Sequence, residues 1–309
     1  MIKGNHTALP VFILLGYSKF PILQVLLFVV FLFIYMGIIT GNGLIIYITV
    51  TDAALDSPMY FFLRNLSFLE ICYTSVTLPK MLVNFLAEDK SISFIGCAIQ
   101  MYFLFVLAST ECFLLAAMAY DRYVAICDPL HYKLTMSKEL CLKLVTGSLI
   151  INMPVHVVQV YLLFTLSFCG SHELNNFFCD LPPVLELACA DIFVNEVYMF
   201  AATTVILIIP FFLIVASYVK IISAILKMPS VEGRKKVFAT CSSHLIMVSF
   251  FYGSATIVYL SPRSKETMDA NKLLSLFYTI LIPMLNPIVY SLRNREMKVS
   301  LKKLFNRKL

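Results

Sequence analysis

Charged residues are scarce in this chain. They make up 14% of its 309 residues, where a soluble domain carries about 25%. That scarcity excludes a soluble core built from alternating apolar and polar positions. Internal repeats and low-complexity stretches are missing too. Their absence speaks against a transporter, because transporters commonly repeat a half with broken helices in matching places. No H-E-x-x-H, G-x-S-x-G or phosphate-loop pattern occurs, so an intramembrane enzyme has no motif here and no enzymatic activity is expected. The connection 165–195 contains neither lysine nor arginine.

What the chain has is apolar length. Hydrophobic residues reach 60%, in runs such as "ILQVLLFVVFLFIYMGIIT" and "TTVILIIPFFLIVASYV". Runs of about 20 apolar residues span a bilayer as helices. Seven segments qualify: 22–50, 57–86, 93–126, 140–164, 196–226, 235–260 and 271–292. The third shows only by length and pattern, because polar residues interrupt it. The expectation is an all-α membrane protein in one domain over 1–309: an N-terminus 1–21, a seven-helix bundle 22–292 and a tail 293–309. The first run is too long for a cleaved signal and reads as an uncleaved anchor.

Lysine and arginine accumulate on the cytosolic side of membrane proteins. Segments 51–57, 121–143, 220–236 and 293–309, with Arg64, hold most of them, while 165–195 carries Glu173, Asp180, Glu186 and Asp191. The N-terminus and the even-numbered connections are therefore expected outside. "NHT" at Asn5 is an N-glycosylation acceptor on that side; Asn65-Leu66-Ser67 matches the same pattern inside a helix, beyond a transferase. The tail "RNREMKVSLKKLFNRKL" alternates apolar and basic faces at helical spacing, as an interfacial helix beside anionic lipid does. Membrane lipids thus account for the net charge of +6, and no nucleic-acid partner is expected.

The nine cysteines divide by side. Cys97, Cys169, Cys179 and Cys189 fall outside, where disulfides form, and four cysteines allow three pairings. A zinc site using Cys169 and His172 is the alternative. Cys72, Cys112, Cys127, Cys141 and Cys241 read as small packing residues.

Motifs stand at the cytosolic ends. The third segment closes in "MAYDRYVAICDPLHY". Arg122 either pairs with Asp121, swings into an opening bundle, or snorkels as an interface charge. The seventh closes in "PMLNPIVYSLRN", where Pro283 and Pro287 remove helical hydrogen bonds and Asn286 can satisfy the freed groups. With "GN" at Gly41–Asn42, "SPMYFFLRNLSFLE", "SY" at Ser217–Tyr218, "KVFATCSSHL", "FYG" at Phe251–Gly253 and the outer "FFCDLPPVLELACAD", the chain resembles rhodopsin-like G-protein-coupled receptors. More narrowly it resembles the odorant receptors of the tetrapod-type class, over nearly its whole length. One departure is Glu70, where such receptors usually carry aspartate.

The resemblance implies disulfides Cys97–Cys179 and Cys169–Cys189, and coupling through Asp121, Arg122, Tyr123, Tyr218, Asn286, Pro287 and Tyr290. It implies a stimulatory olfactory G protein that raises cyclic AMP, and a place in the plasma membrane of olfactory cilia. The outer halves of segments three, five, six and seven hold no buried charge that would suit an ammonium ligand or retinal. A small neutral odorant is therefore expected between them. Leu104, Phe105, Ala108, Ala202 and Ile206 would form walls. Ser109, Thr203, Thr204, Tyr252, Thr256, Tyr259 and Thr279 would offer hydrogen bonds, unless they bond their own helix or, for Tyr259, anchor at the lipid interface.

Glu70 is the anomaly of "NLSFLEICYTSV", because a charge at the bilayer centre costs at least about 2.5 kcal/mol. Counting from the cytosolic ends at about 1.5 Å per residue puts Glu70 about 20 Å deep and Glu111 about 16 Å deep. The two meet near Asn42 and Asn286. Either one carboxyl holds a proton or a small hard cation sits among the oxygens. The resemblance makes sodium the leading ion; no other cofactor is expected.

Overall fold

A computed structural model describes residues 11–16, 21–169, 171–260 and 272–306. Asn5 and the connection 261–271 lie outside the described residues, as does the side chain of Tyr259. Among the described residues, seven helices are long and apolar enough to cross a membrane. They are α1 (Pro21–Thr51), α2 (Pro58–Leu86), α3 (Phe94–Cys127), α4 (Lys138–Phe164), α5 (Phe193–Leu226), α6 (Val231–Leu260) and α7 (272–293). A further helix, α8 (Arg295–Asn306), follows. Helices satisfy every backbone group within the segment, as lipid demands. The boundaries differ from the sequence reading by a few residues. α4 and α6 start earlier, at Lys138 and Val231, because polar residues can occupy a helix's first turns. Ser137 accepts from the Leu140 N–H (3.2 Å) and Ser93 from the Gly96 N–H (3.1 Å), capping α4 and α3.

α3 is the most buried of the spans and α1 among the least. That explains why polar residues interrupt the third apolar run: they face the bundle, not lipid. α1 comes close to α7 at Gly41, where an added Cβ would lie 3.2 Å from Pro287. The neighbouring Asn42 amide donates to the carbonyls of Ile38 and Pro283, both at 3.1 Å.

Two spans contain a π turn, Thr204–Ile208 in α5 and Phe277–Leu281 in α7. Each surrounds the residue four before a proline, Pro210 or Pro283. Proline clashes with that residue's carbonyl and offers it no N–H. Widening the turn by one residue relieves both problems, since the Ile209 N–H reaches Thr204 O and the Ile282 N–H reaches Phe277 O.

A cap covers one end of the bundle. Strand β1 (Val11–Leu14) pairs antiparallel with β2 (Ser91–Ser93) and parallel with β3 (Glu173–Leu174). Phe12 is fully buried and packs against Phe94, Phe164 and Phe168. Both disulfides lie at this end: Cys97–Cys179 with Cα atoms 5.5 Å apart, and Cys169–Cys189 at 5.8 Å. With Cys169 in a disulfide, the zinc alternative is closed. The connection between α4 and α5 folds into the bundle mouth rather than over it. Gln100 accepts from the Cys179 N–H (2.9 Å) and donates to Val76 O (2.9 Å), while Tyr278 donates to Asp180 (3.1 Å). At the other, basic end, α8 lies with Met297 and Ser300 buried and Lys298, Lys302 and Lys303 exposed. Tyr60 ties α8 to α2 by donating to Asn294 (3.0 Å) and Glu296 (2.7 Å).

Candidate functional site

Below the cap lies a cavity of about 90 Å³ bounded by α3, α4, α5 and α6, with Leu181 from the inserted connection as its roof. Of the residues expected to hold a ligand, Phe105, Ala108, Ser109, Ala202, Thr203 and Ile206 line it. Leu104 is buried in α3 outside the lining. Tyr252 sits beside it, its hydroxyl donating to Cys112 O across 3.1 Å. Thr204 and Thr279 donate to their own helices, to Phe200 O (2.8 Å) and Ser275 O (2.5 Å). Thr256 faces outward and is exposed.

The cavity's polar feature comes from α4, which sequence reasoning left out of the site. His156 is buried and stands between Ser109 Oγ (Nε2 to Oγ, 2.6 Å) and Gln159 Oε1 (Nδ1 to Oε1, 2.8 Å). Gln159 Oε1 only accepts, so Nδ1 carries the proton of the neutral ring. Nε2 then accepts the Ser109 proton, and Ser109 turns lone pairs toward the cavity. Cys112, Met199, Leu207, Phe251 and Ala255 also line it. A histidine and a glutamine three apart share a helix face, and that spacing in "HVVQ" was the signal available.

A second cluster occupies the middle of the bundle. The Asn286 amide donates to Glu70 Oε1, and the Glu111 carboxyl lies near that of Glu70. Glu70 and Glu111 are 1% and 4% exposed, so neither reaches bulk water. Glu70 Oε2, Asn42 Oδ1, Asn286 Oδ1 and the Tyr290 hydroxyl have no hydrogen-bond partner among the described residues.

The third cluster is at the basic end. Tyr218 of α5 donates to His244 Nδ1 (2.9 Å), and His244 Nε2 donates to Leu115 O of α3 (3.1 Å). One buried imidazole therefore joins three helices. Arg122 is half-buried. Asp121 takes its hydrogen bond from Tyr132 (2.7 Å), on the short helix Tyr132–Thr135. Burial, then the Asp121 carboxylate, push the Tyr132 phenol well above its usual value. Tyr123 is half-buried, its ring 6.2 Å from Tyr120.

A family model described as olfactory receptor matches residues 31–308. Human olfactory receptor 10A7 is 50% identical over 309 residues, covering 100% of this chain and 98% of that protein. Human olfactory receptor 10A5 is 52% identical over 310 residues with the same coverage. A multi-pass bundle, a small cavity under a cap and a buried imidazole joining three helices at the opposite end thus meet a full-length match, and the chain belongs to the olfactory receptor family.

Proposed function

We propose that the cavity beneath the cap binds a small neutral odorant and that the basic end then activates a stimulatory G protein, raising cyclic AMP. The N-terminus faces outward and α8 the cytosol, in the plasma membrane and, by family, in olfactory cilia. Disulfides at the cap end and lysines at the other support that orientation. The observation that carries the function is the cavity's chemistry: apolar walls with one Ser109–His156 pair, as expected of a site that orients a molecule bearing one polar group.

Its size supplies the mechanism. Ligand sites usually measure about 300–1,000 Å³, and this one is about 90 Å³. An odorant therefore prefers a state in which the α6 wall, Phe251 and Ala255, has moved outward, and that differential affinity shifts the equilibrium. Tyr252 follows Phe251 directly, so the same movement strains its bond to Cys112 O and passes down α6 to His244.

In cells, part of a broad panel of neutral oxygenated odorants should raise cyclic AMP. Ser109→Ala should weaken potency by about twofold to tenfold for responders that use it, the worth of one hydrogen bond. Ala108→Phe, which fills the cavity, should abolish the response at normal surface amount. Ion flux without any G protein would overturn the receptor reading.

We also propose sodium in the middle cluster. The oxygens of Glu70, Asn42 and Asn286, unpartnered among the described residues, would supply the oxygen-only set that suits a hard cation. The competing reading is a proton held by Glu70 or Glu111, because two bare carboxylates buried side by side would repel with little water to screen them. Replacing sodium by a bulky organic cation at constant ionic strength should change basal cyclic AMP in the wild type and much less in Glu111→Gln. A wild type indifferent to sodium leaves the proton in place of the ion.

A further inference from the structure

We infer that a groove on the outer wall of α3, α4 and α5 binds an anionic phospholipid of the cytosolic leaflet, its phosphate between Lys143 and Lys220 and an acyl chain along Gly147 and Leu213. The inference rests on the orientation proposed above and uses neither the odorant cavity nor G-protein coupling.

The groove measures about 510 Å³, several times the odorant cavity. Its charge stands at one end. Lys143 lies about 7.5 Å into α4 from Lys138, and Lys220 about 9 Å from the end of α5 at Leu226. Both are exposed, so two ammonium groups stand at one depth near the basic end. Ile151, Leu213 and Phe113 line the groove about 20 Å deep. Two lining hydroxyls are turned away: Ser148 donates to Val145 O (2.7 Å) and Ser217 to Leu213 O (2.8 Å). The deep wall therefore offers dispersion contacts and no polar anchor.

That gradient selects the occupant. A sterol or a neutral lipid would leave the two cations unanswered. A soluble phosphate would leave the apolar length empty. An anionic headgroup with an attached chain satisfies both ends. Lys143 also pairs with Glu139 at 2.6 Å, but both partners are largely exposed, and such a pair contributes little. Gly147 borders open space: an added Cβ there would meet nothing within 4 Å, so a larger side chain has room to enter the groove.

The test crosslinks the full-length receptor, in vesicles, to phosphatidylserine or phosphatidylcholine carrying a diazirine midway along one chain. Phosphatidylserine should label α4 and α5 peptides in preference to phosphatidylcholine. Lys143→Gln and Lys220→Gln should each reduce that labelling about fivefold, from roughly 1 kcal/mol of attraction per lysine at about 1.4 kcal/mol per tenfold. Both positions are exposed, so folding should survive. Gly147→Leu should reduce labelling with both lysines intact, because the new side chain enters the groove. Equal labelling by the two lipids would reduce the groove to ordinary lipid contact and overturn the inference. So would phosphatidylserine labelling indifferent to the lysines, or labelling that follows the basic residues of α8 instead.

Discussion

Cys179→Ser should leave the receptor inside the cell, with no surface staining and no odorant response. Cys179 is fully buried and bonded to Cys97 across a sequence separation of 82. Crosslinks closing long loops constrain the unfolded chain most, and removing a native one typically costs about 2–5 kcal/mol. Against a total stability of about 5–15 kcal/mol, that is a large fraction. The loss is also positional. The Cys179 N–H donates to Gln100, and Asp180 receives Tyr278 of α7, so freeing this point unseats the connection that roofs the cavity. Cys169→Ser should do less damage. Its bridge to Cys189 has a separation of 20, and Cys169 N–H to Leu187 O and Cys189 N–H to Ser167 O (3.1 and 2.9 Å) still close that loop. Staining of an N-terminal epitope on intact cells measures both. Equal surface amounts for the two variants would remove the distinction drawn between the bridges.

His244→Phe should raise signalling without odorant. Phenylalanine fills a similar volume but leaves Tyr218 Oη and Leu115 O, the two partners of the imidazole, unanswered in a buried place. Each buried group left unsatisfied costs about 1–3 kcal/mol. In a state with α6 swung outward, water reaches both groups and the cost falls. The change therefore penalises the closed bundle selectively, and a shift of about 2 kcal/mol alters the closed-to-open ratio roughly thirtyfold. Agonist-free cyclic AMP, divided by surface amount, should rise while the response above baseline shrinks. Agonist-free nucleotide exchange on purified G protein should rise in parallel. A variant with normal surface amount and wild-type basal output would mean that the imidazole does not hold the bundle closed.

The spans were legible because lipid imposes one requirement on all of them, and apolar length reports it even where polar residues interrupt the third. The meeting of Glu70 with Glu111 and Asn286 was legible because depth in a helix is a count of residues. The cap was not, because a strand of four residues, "VFIL", carries too short an alternation to separate it from the apolar residues around it. Rotation about each helix axis was the other gap. Thr203 lines the cavity while Thr204, one residue on, bonds Phe200 O and Thr256 faces outward. A threonine reads the same in all three settings, and only the packing of neighbouring helices decides between them. His156 was missed because α4 is half lipid-facing, and a polar residue there gives no sign of which side it serves.

The π turn at Thr204–Ile208 holds one residue more than an ordinary helical turn. Losing that residue, with Pro210 replaced so that no ring opposes the tighter turn, would restore the regular winding and rotate everything before it by about 100°. Met199, Ala202 and Thr203 would leave the cavity wall and other side chains would take their places. Tyr218, on the far side of Pro210, would keep its bond to His244. Two neighbouring codons thus suffice to remake the wall of the cavity and leave the contact at the basic end as it is.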